Sequence, residues 1–216
     1  NEYGMKALQT IIAIAALFYV ADAFAQTEEV EDATSYKAEI FGSASSGSTT
    51  PFWMVSNRYG IVPLDAGNGY LNAGIFHQQH FGKGFRWSAG LDIIAAVPRY
   101  HNVFVQQVYA ELGYKSLLLS VGSKENRHSL WDHSLSSGDM VLSSNARPIP
   151  EINLSMPEFT VIPFTKGWMQ VKGDFAVGKS FDTGYLDDFS NGKQTYVKDV
   201  LWHHKSLYVR IQDTQG

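Results

Sequence analysis

The chain contains no cysteine, which excludes a disulfide framework and any thiolate-held metal or redox centre. A surplus of basic charge is missing too. Lysines and arginines number 17 against 21 acidic residues, a net charge of −4 with no basic run, so nucleic-acid binding has no electrostatic footprint. Long apolar runs are equally scarce. Beyond Ala25 no segment approaches the roughly 20 consecutive apolar residues of a spanning helix, so strands would have to make any crossing of a bilayer.

The one apolar stretch lies at the start. Met5-Lys6 supplies a basic flank, Ile11 to Val20 an uncharged core, and Ala23-Phe24-Ala25 the small residues of a cleavage site. This pattern predicts a secretory signal peptide cleaved after Ala25, its core being too short for an anchor. Asn1 to Gly4 read as upstream of the initiator Met5. Residues 26–35, with the acidic run Glu28-Glu29-Val30-Glu31-Asp32, are expected to form a flexible mature N-terminus.

What the rest of the chain does have is period-two alternation of apolar and polar residues. It predicts strands over 36–43, 69–80, 85–97, 103–114, 117–124, 154–163 and 167–178, with an eighth beginning near 205. In the third, Trp87, Ala89, Leu91, Ile93, Ala95 and Val97 share one face against Arg86, Ser88, Gly90 and Asp92. Connections alternate between short ones at 82–84, 115–116 and 165–167 and longer ones at 44–68, 125–153 and 179–204, with a medium one at 98–102. A soluble sandwich also alternates, but these segments reach the 9–11 residues or so of a tilted spanning strand. Tyr70, Trp87, Tyr100, Tyr114, Trp168 and Tyr208 stand near strand ends, as interfacial girdles do. The expected fold is all-β: an antiparallel up-and-down transmembrane β-barrel over 36–216. About eight strands that cannot close alone suggest the truncated N-terminal part of a larger barrel in a Gram-negative outer membrane, with the barrel-assembly machinery and outer-membrane lipid as partners.

Several runs carry a resemblance. Pro51-Phe52-Trp53-Met54, Asn57-Arg58-Tyr59-Gly60-Ile61-Val62-Pro63, Trp87-Ser88-Ala89-Gly90-Leu91-Asp92 and Ala96-Val97-Pro98-Arg99-Tyr100 resemble the N-terminal region of Wzi-type capsule assembly proteins. Leu119-Ser120-Val121-Gly122-Ser123-Lys124-Glu125, Ala146-Arg147-Pro148-Ile149-Pro150-Glu151-Ile152, Gly167-Trp168, Lys172-Gly173-Asp174 and Leu201-Trp202-His203-His204-Lys205-Ser206-Leu207-Tyr208 extend it in order along the chain. The resemblance implies an outer-membrane barrel that binds capsular polysaccharide and helps hold it on the cell, lectin-like and without enzymatic activity or cofactor.

Loops on a rigid barrel carry recognition, and sugar rings stack on aromatics while Asp, Asn and Arg meet their hydroxyls. The candidate glycan-binding residues are therefore Trp53, Tyr59, Arg99, Trp131, Asp132, Asn145, Arg147 and Tyr185, with Arg58, Lys124 and Arg127 as further cations for acidic sugars. The alternative is a channel or porin lined by Arg86, Asp92, Gln107, Glu111 and Lys172. A glycosidase would have only the carboxylates Glu125, Asp132, Asp139, Glu151 and Glu158 behind it. Gly173 to Ser180 fits G-x-x-x-x-G-K-[ST], but its first glycine falls within an alternating strand and no helix follows, so nucleotide binding is not expected. His77 and His80, or His203 and His204, would diverge on strands and hold no metal.

Overall fold

The computed structural model describes residues 32–98, 102–125, 144–181, 197 and 199–212. Eight strands follow in chain order: β1 (Ala33–Thr49), β2 (Asp65–Phe81), β3 (Phe85–Val97), β4 (Val103–Tyr114), β5 (Leu117–Ser123), β6 (Glu151–Val161), β7 (Met169–Lys179) and β8 (Leu201–Ile211). They form one antiparallel sheet in sequential order, so the chain is an open, up-and-down partial β-barrel with β1 and β8 as its edges. Short links at 82–84, 115–116 and 162–168 lie at one end, and the longer connections lie at the other.

Alternation fixes which way each side chain points, because a one-residue slip would turn every side chain to the other face. Leu71, Leu91, Val108, Leu119, Ile152, Phe175 and Leu207 are all exposed on the outward face. On the other face Asp92, Gln106, Ile94 and Asn153 are essentially fully buried, although the described strands form a single sheet. Curvature of the layer brings inward side chains together, and the 50–64 segment adds cover, with Ile61 and Val62 clustered with Ile94 and the Tyr59 carbonyl on Gln106. The inward face carries the buried polar residues, as the alternation predicts, together with an apolar cluster at Tyr70, Ile94 and Ala96.

Three strands begin or end where composition disguises them. β1 starts at Ala33, ahead of the expected Tyr36. β6 starts at Glu151, with buried Glu151 and Asn153 inward and exposed Ile152 and Leu154 outward, so its alternation runs upstream of 154. β8 starts at Leu201, and His203 and Lys205 interrupt the apolar side of its first half. In β4 the bulge between the Asp92–Gln107 and Ile93–Val105 pairs turns both Gln106 and Gln107 inward. Gly122, at φ +112°, has the Val108 carbonyl where a Cβ would stand, which lets β4 and β5 approach there.

Aromatics do gather outward at the short-link end. Phe85 lies 5.6 Å from Phe81 and 4.5 Å from Tyr114 between ring centroids, and His77 lies 4.8 Å from Trp87. Two of the expected girdle residues belong elsewhere. Tyr70 is 4% exposed and shares the inward side with Asn72; Tyr208 alternates inward with Ser206. Tyr100 lies outside the described residues, as do the signal peptide and the acidic run up to Glu31.

Candidate functional site

The long-connection end is organised by the 50–64 segment, which folds back over the concave face. Thr50 closes its base: the hydroxyl donates to the Asp65 carbonyl (2.7 Å), with the Pro63 carbonyl also in reach at 3.1 Å. A single helical turn, Phe52–Val55, leaves Phe52 and Trp53 73% and 77% exposed. Asn57, Tyr59 and Gly60 then adopt positive φ and reverse the chain, sending Ile61 and Val62 inward onto Tyr70, Ile94 and Ala96. The apolar pair supplies the anchoring energy; the left-handed residues supply the turn that aims it.

A second segment locks the first. The Asn57 amide donates to Asn145 Oδ1 (2.7 Å), the Ser144 hydroxyl to Asn57 Oδ1 (2.6 Å), and the Tyr59 amide to the Ser144 carbonyl (2.6 Å). Arg147 lays its guanidinium 4.5 Å from the Phe104 ring centroid and donates to the Val105 carbonyl (2.5 Å). Burial lowers the guanidinium pKa from its ordinary value, and stacking on an aromatic face suits so planar a cation. A side chain at Gly60 would stand 3.2 Å from the Asn145 carbonyl, so the close approach of the two segments favours glycine.

Beneath this lock lies a polar chain. Gln106 Nε2 donates to the Tyr59 carbonyl (3.2 Å) and to Glu125 Oε1 (2.7 Å); the Glu125 amide donates to Gln107 Oε1 (3.0 Å). Gln107 Nε2 and Lys37 Nζ converge on Asp92 Oδ2 at 3.3 and 3.4 Å. A fully buried carboxylate needs such partners. Glu111 is held likewise by Ser88 (2.6 Å), Lys124 (2.8 Å) and Ser120 (3.0 Å). Farther round, Asp174 accepts from Ser206 and lies 2.8 Å from His204 Nδ1. This is not a nucleophile relay, which requires the hydroxyl to face the imidazole.

Of the candidate residues, Tyr59, Asn145 and Arg147 are brought together, but as parts of the lock. The Tyr59 hydroxyl is buried without a hydrogen-bond partner among the described residues, and burial first, then the charge of Glu125, raises its pKa well above the ordinary range. Trp53 stands apart, exposed. Arg99, Trp131, Asp132 and Tyr185 lie outside the described residues, as do Arg127 and Asp139. Arg58 reaches Glu39 at 3.8 Å and Lys124 is bound to Glu111, so both cations already have acidic partners. What the sequence reading missed is the Gln106-Gln107 doublet, whose signal is two adjacent polar residues in an otherwise alternating strand. Gly173 to Lys179 lie wholly within β7, so no phosphate loop forms there. His77 bonds Thr34 (2.8 Å) and His80 reaches Asp32 (3.5 Å). No metal-holding group of His, Asp or Glu occurs among the described residues.

Burial raises the Glu125 carboxyl above its ordinary 4.5; the Gln106 donor and Lys37 pull it down, while Asp92 and Glu39 add to the rise. A pKa raised on folding contributes stability that is full below the unfolded value and is lost as pH rises through the folded one. The chain's urea midpoint is therefore expected to carry a downward component across that interval, which Glu125→Gln removes. An identical pH dependence in both proteins would show that Glu125 does not titrate there.

No family model matches the chain, and neither a curated protein nor a solved structure matches it.

Proposed function

We propose that the chain is an outer-membrane capsule-assembly protein that binds surface polysaccharide and helps attach it to the cell, without catalysis. The observation that carries the membrane part is the outward face. From Leu71 on β2 to Val209 on β8 it presents exposed aliphatic side chains, while Asp92, Glu111 and Glu151 are buried inward. Lipid is the solvent that suits such a face. The polysaccharide part rests on the resemblance to Wzi-type proteins and is supported by Phe52 and Trp53, exposed on a segment whose base and return are locked. Polymer length would multiply weak contacts of this kind.

The paired state of Asp92 and Glu111 and the 50–64 segment over the concave face favour a filled interior above an open passage. The deciding measurement is where polysaccharide is found after the gene is deleted, on cells or in the medium. Normal synthesis with shedding is expected, restored by the native gene and about tenfold less well by one carrying Trp53→Ala, since losing an anchoring aromatic costs upward of about 1 kcal/mol. Unchanged retention in the deletion strain would refute the attachment role.

A further inference from the structure

Among the described strand residues, the outward lysines stand in one corner. On β7 and β8 the outward positions are Met169, Val171, Gly173, Phe175, Val177 and Lys179, and Leu201, His203, Lys205, Leu207, Val209 and Ile211. The pairs Lys179–Leu201, Val177–His203 and Phe175–Lys205 put two lysines and an imidazole at the end that carries the 180–200 connection. Neither outward face has a carboxylate. The Lys205 ammonium lies 5.6 Å from the Phe175 ring centroid. A shallow depression of about 380 Å³ is lined by Phe175, Val177, Leu201, Trp202, His203 and Lys205. Among the described residues of this end, Asp199 meets Lys179 at 3.5 Å with both groups half exposed, a pairing that solvent weakens.

We propose that this corner binds the phosphorylated head group of an outer-leaflet glycolipid. The inference rests on the outer-membrane reading. In such barrels the long connections are extracellular, so Lys179, His203 and Lys205 come level with the anionic groups of the outer leaflet. Phe175, Val177 and Leu201 lie beside them to receive acyl chain. His203 and Lys205, two residues apart, are separated by about 7 Å along the strand, near enough for a single anionic group to span them. Lysines also serve to discourage pairing at sheet edges, but that role does not account for the arrangement. Lys179 is on β7, which is not an edge, and the rest of β8 stays apolar outward at Leu207, Val209 and Ile211.

The test reconstitutes the full chain in phosphatidylcholine vesicles with or without bisphosphorylated lipid A, then counts lipid retained on the purified protein by native mass spectrometry. Selective retention of lipid A is expected, falling at least about tenfold in Lys179→Gln/His203→Gln/Lys205→Gln, given about fivefold for each of the two lysines near an anionic surface. Lys179→Arg/Lys205→Arg should retain it, and Lys83→Gln/Lys115→Gln at the opposite end should change nothing. Dephosphorylated lipid A retained equally well, or full displacement by inorganic phosphate, would overturn the proposal. Retention unchanged in the triple variant would do so as well. Failure of the native chain to float with any vesicle would remove the outer-membrane reading along with it. Flotation without lipid A preference would remove this inference alone.

Discussion

Arginine at Leu91 or at Val121 is expected to destabilise the inserted chain by about 2–4 kcal/mol each, and arginine at Leu117 by only about 0–1. Leu91 lies midway along β3, Val121 lies within β5, and Leu117 adjoins the short link at 115–116. All three are exposed outward. If that face met water, all three substitutions would fall within about 0.5 kcal/mol of neutral, as exposed positions do. If it meets lipid, the penalty follows depth, and Leu91→Arg with Val121→Arg sums to several kcal/mol because the sites lie on non-adjacent strands. Urea unfolding from vesicles, with flotation as a second readout, measures the difference. Equal, small effects at all three positions would mean that the face is not lipid-covered.

The alternation made the sheet legible because period two is set by backbone geometry alone. β3 and β4 occupy 85–97 and 103–114, as the pattern placed them, since their outward residues are apolar throughout. β8 was only half visible: His203 and Lys205 are polar on the face that should be apolar, so hydrophobic pattern gave no sign that a strand had begun. The girdle assignment failed at Tyr70 for a related reason. An aromatic near a strand end satisfies an interface or a core equally well in sequence, and only the register with Phe41, whose ring it stacks on at 5.1 Å, sends it inward.

The candidate site was legible as a region but not in its roles. Aromatic, amide and guanidinium groups in long connections suggest glycan contacts, yet Asn145 and Arg147 spend their hydrogen bonds on Asn57 and Val105. Nothing in spacing tells that residues 57 and 145 meet, because the contact joins two connections across three intervening strand pairs. The glutamines show the opposite case. Gln106-Gln107 breaks the period of β4 in plain sight, and the break is the bulge that puts two amides on one face, where they bridge Glu125 and Asp92.

Releasing the 50–64 segment separates an architectural role for it from a recognition role. Ile61→Ser with Val62→Ser removes the apolar pair that holds the segment on Tyr70, Ile94 and Ala96 and leaves hydroxyls in their place. Truncating a buried aliphatic side chain costs about 2–4 kcal/mol, and Ile61 and Val62 share one site, so about 3–5 kcal/mol of local stability is expected to go. The Tyr59 amide, now bonded to the Ser144 carbonyl at 2.6 Å, should then exchange with solvent at least about a hundredfold faster. The Ser120 hydroxyl bonded to Glu111 lies in another part of the sheet, and amides around it should keep their protection. If Trp53 binds polysaccharide from a fixed position, the released variant loses retention about as fully as Trp53→Ala, although its indole is intact. Faster exchange with undiminished retention would show that the segment only covers the concave face, and recognition would then have to come from connections other than 50–64.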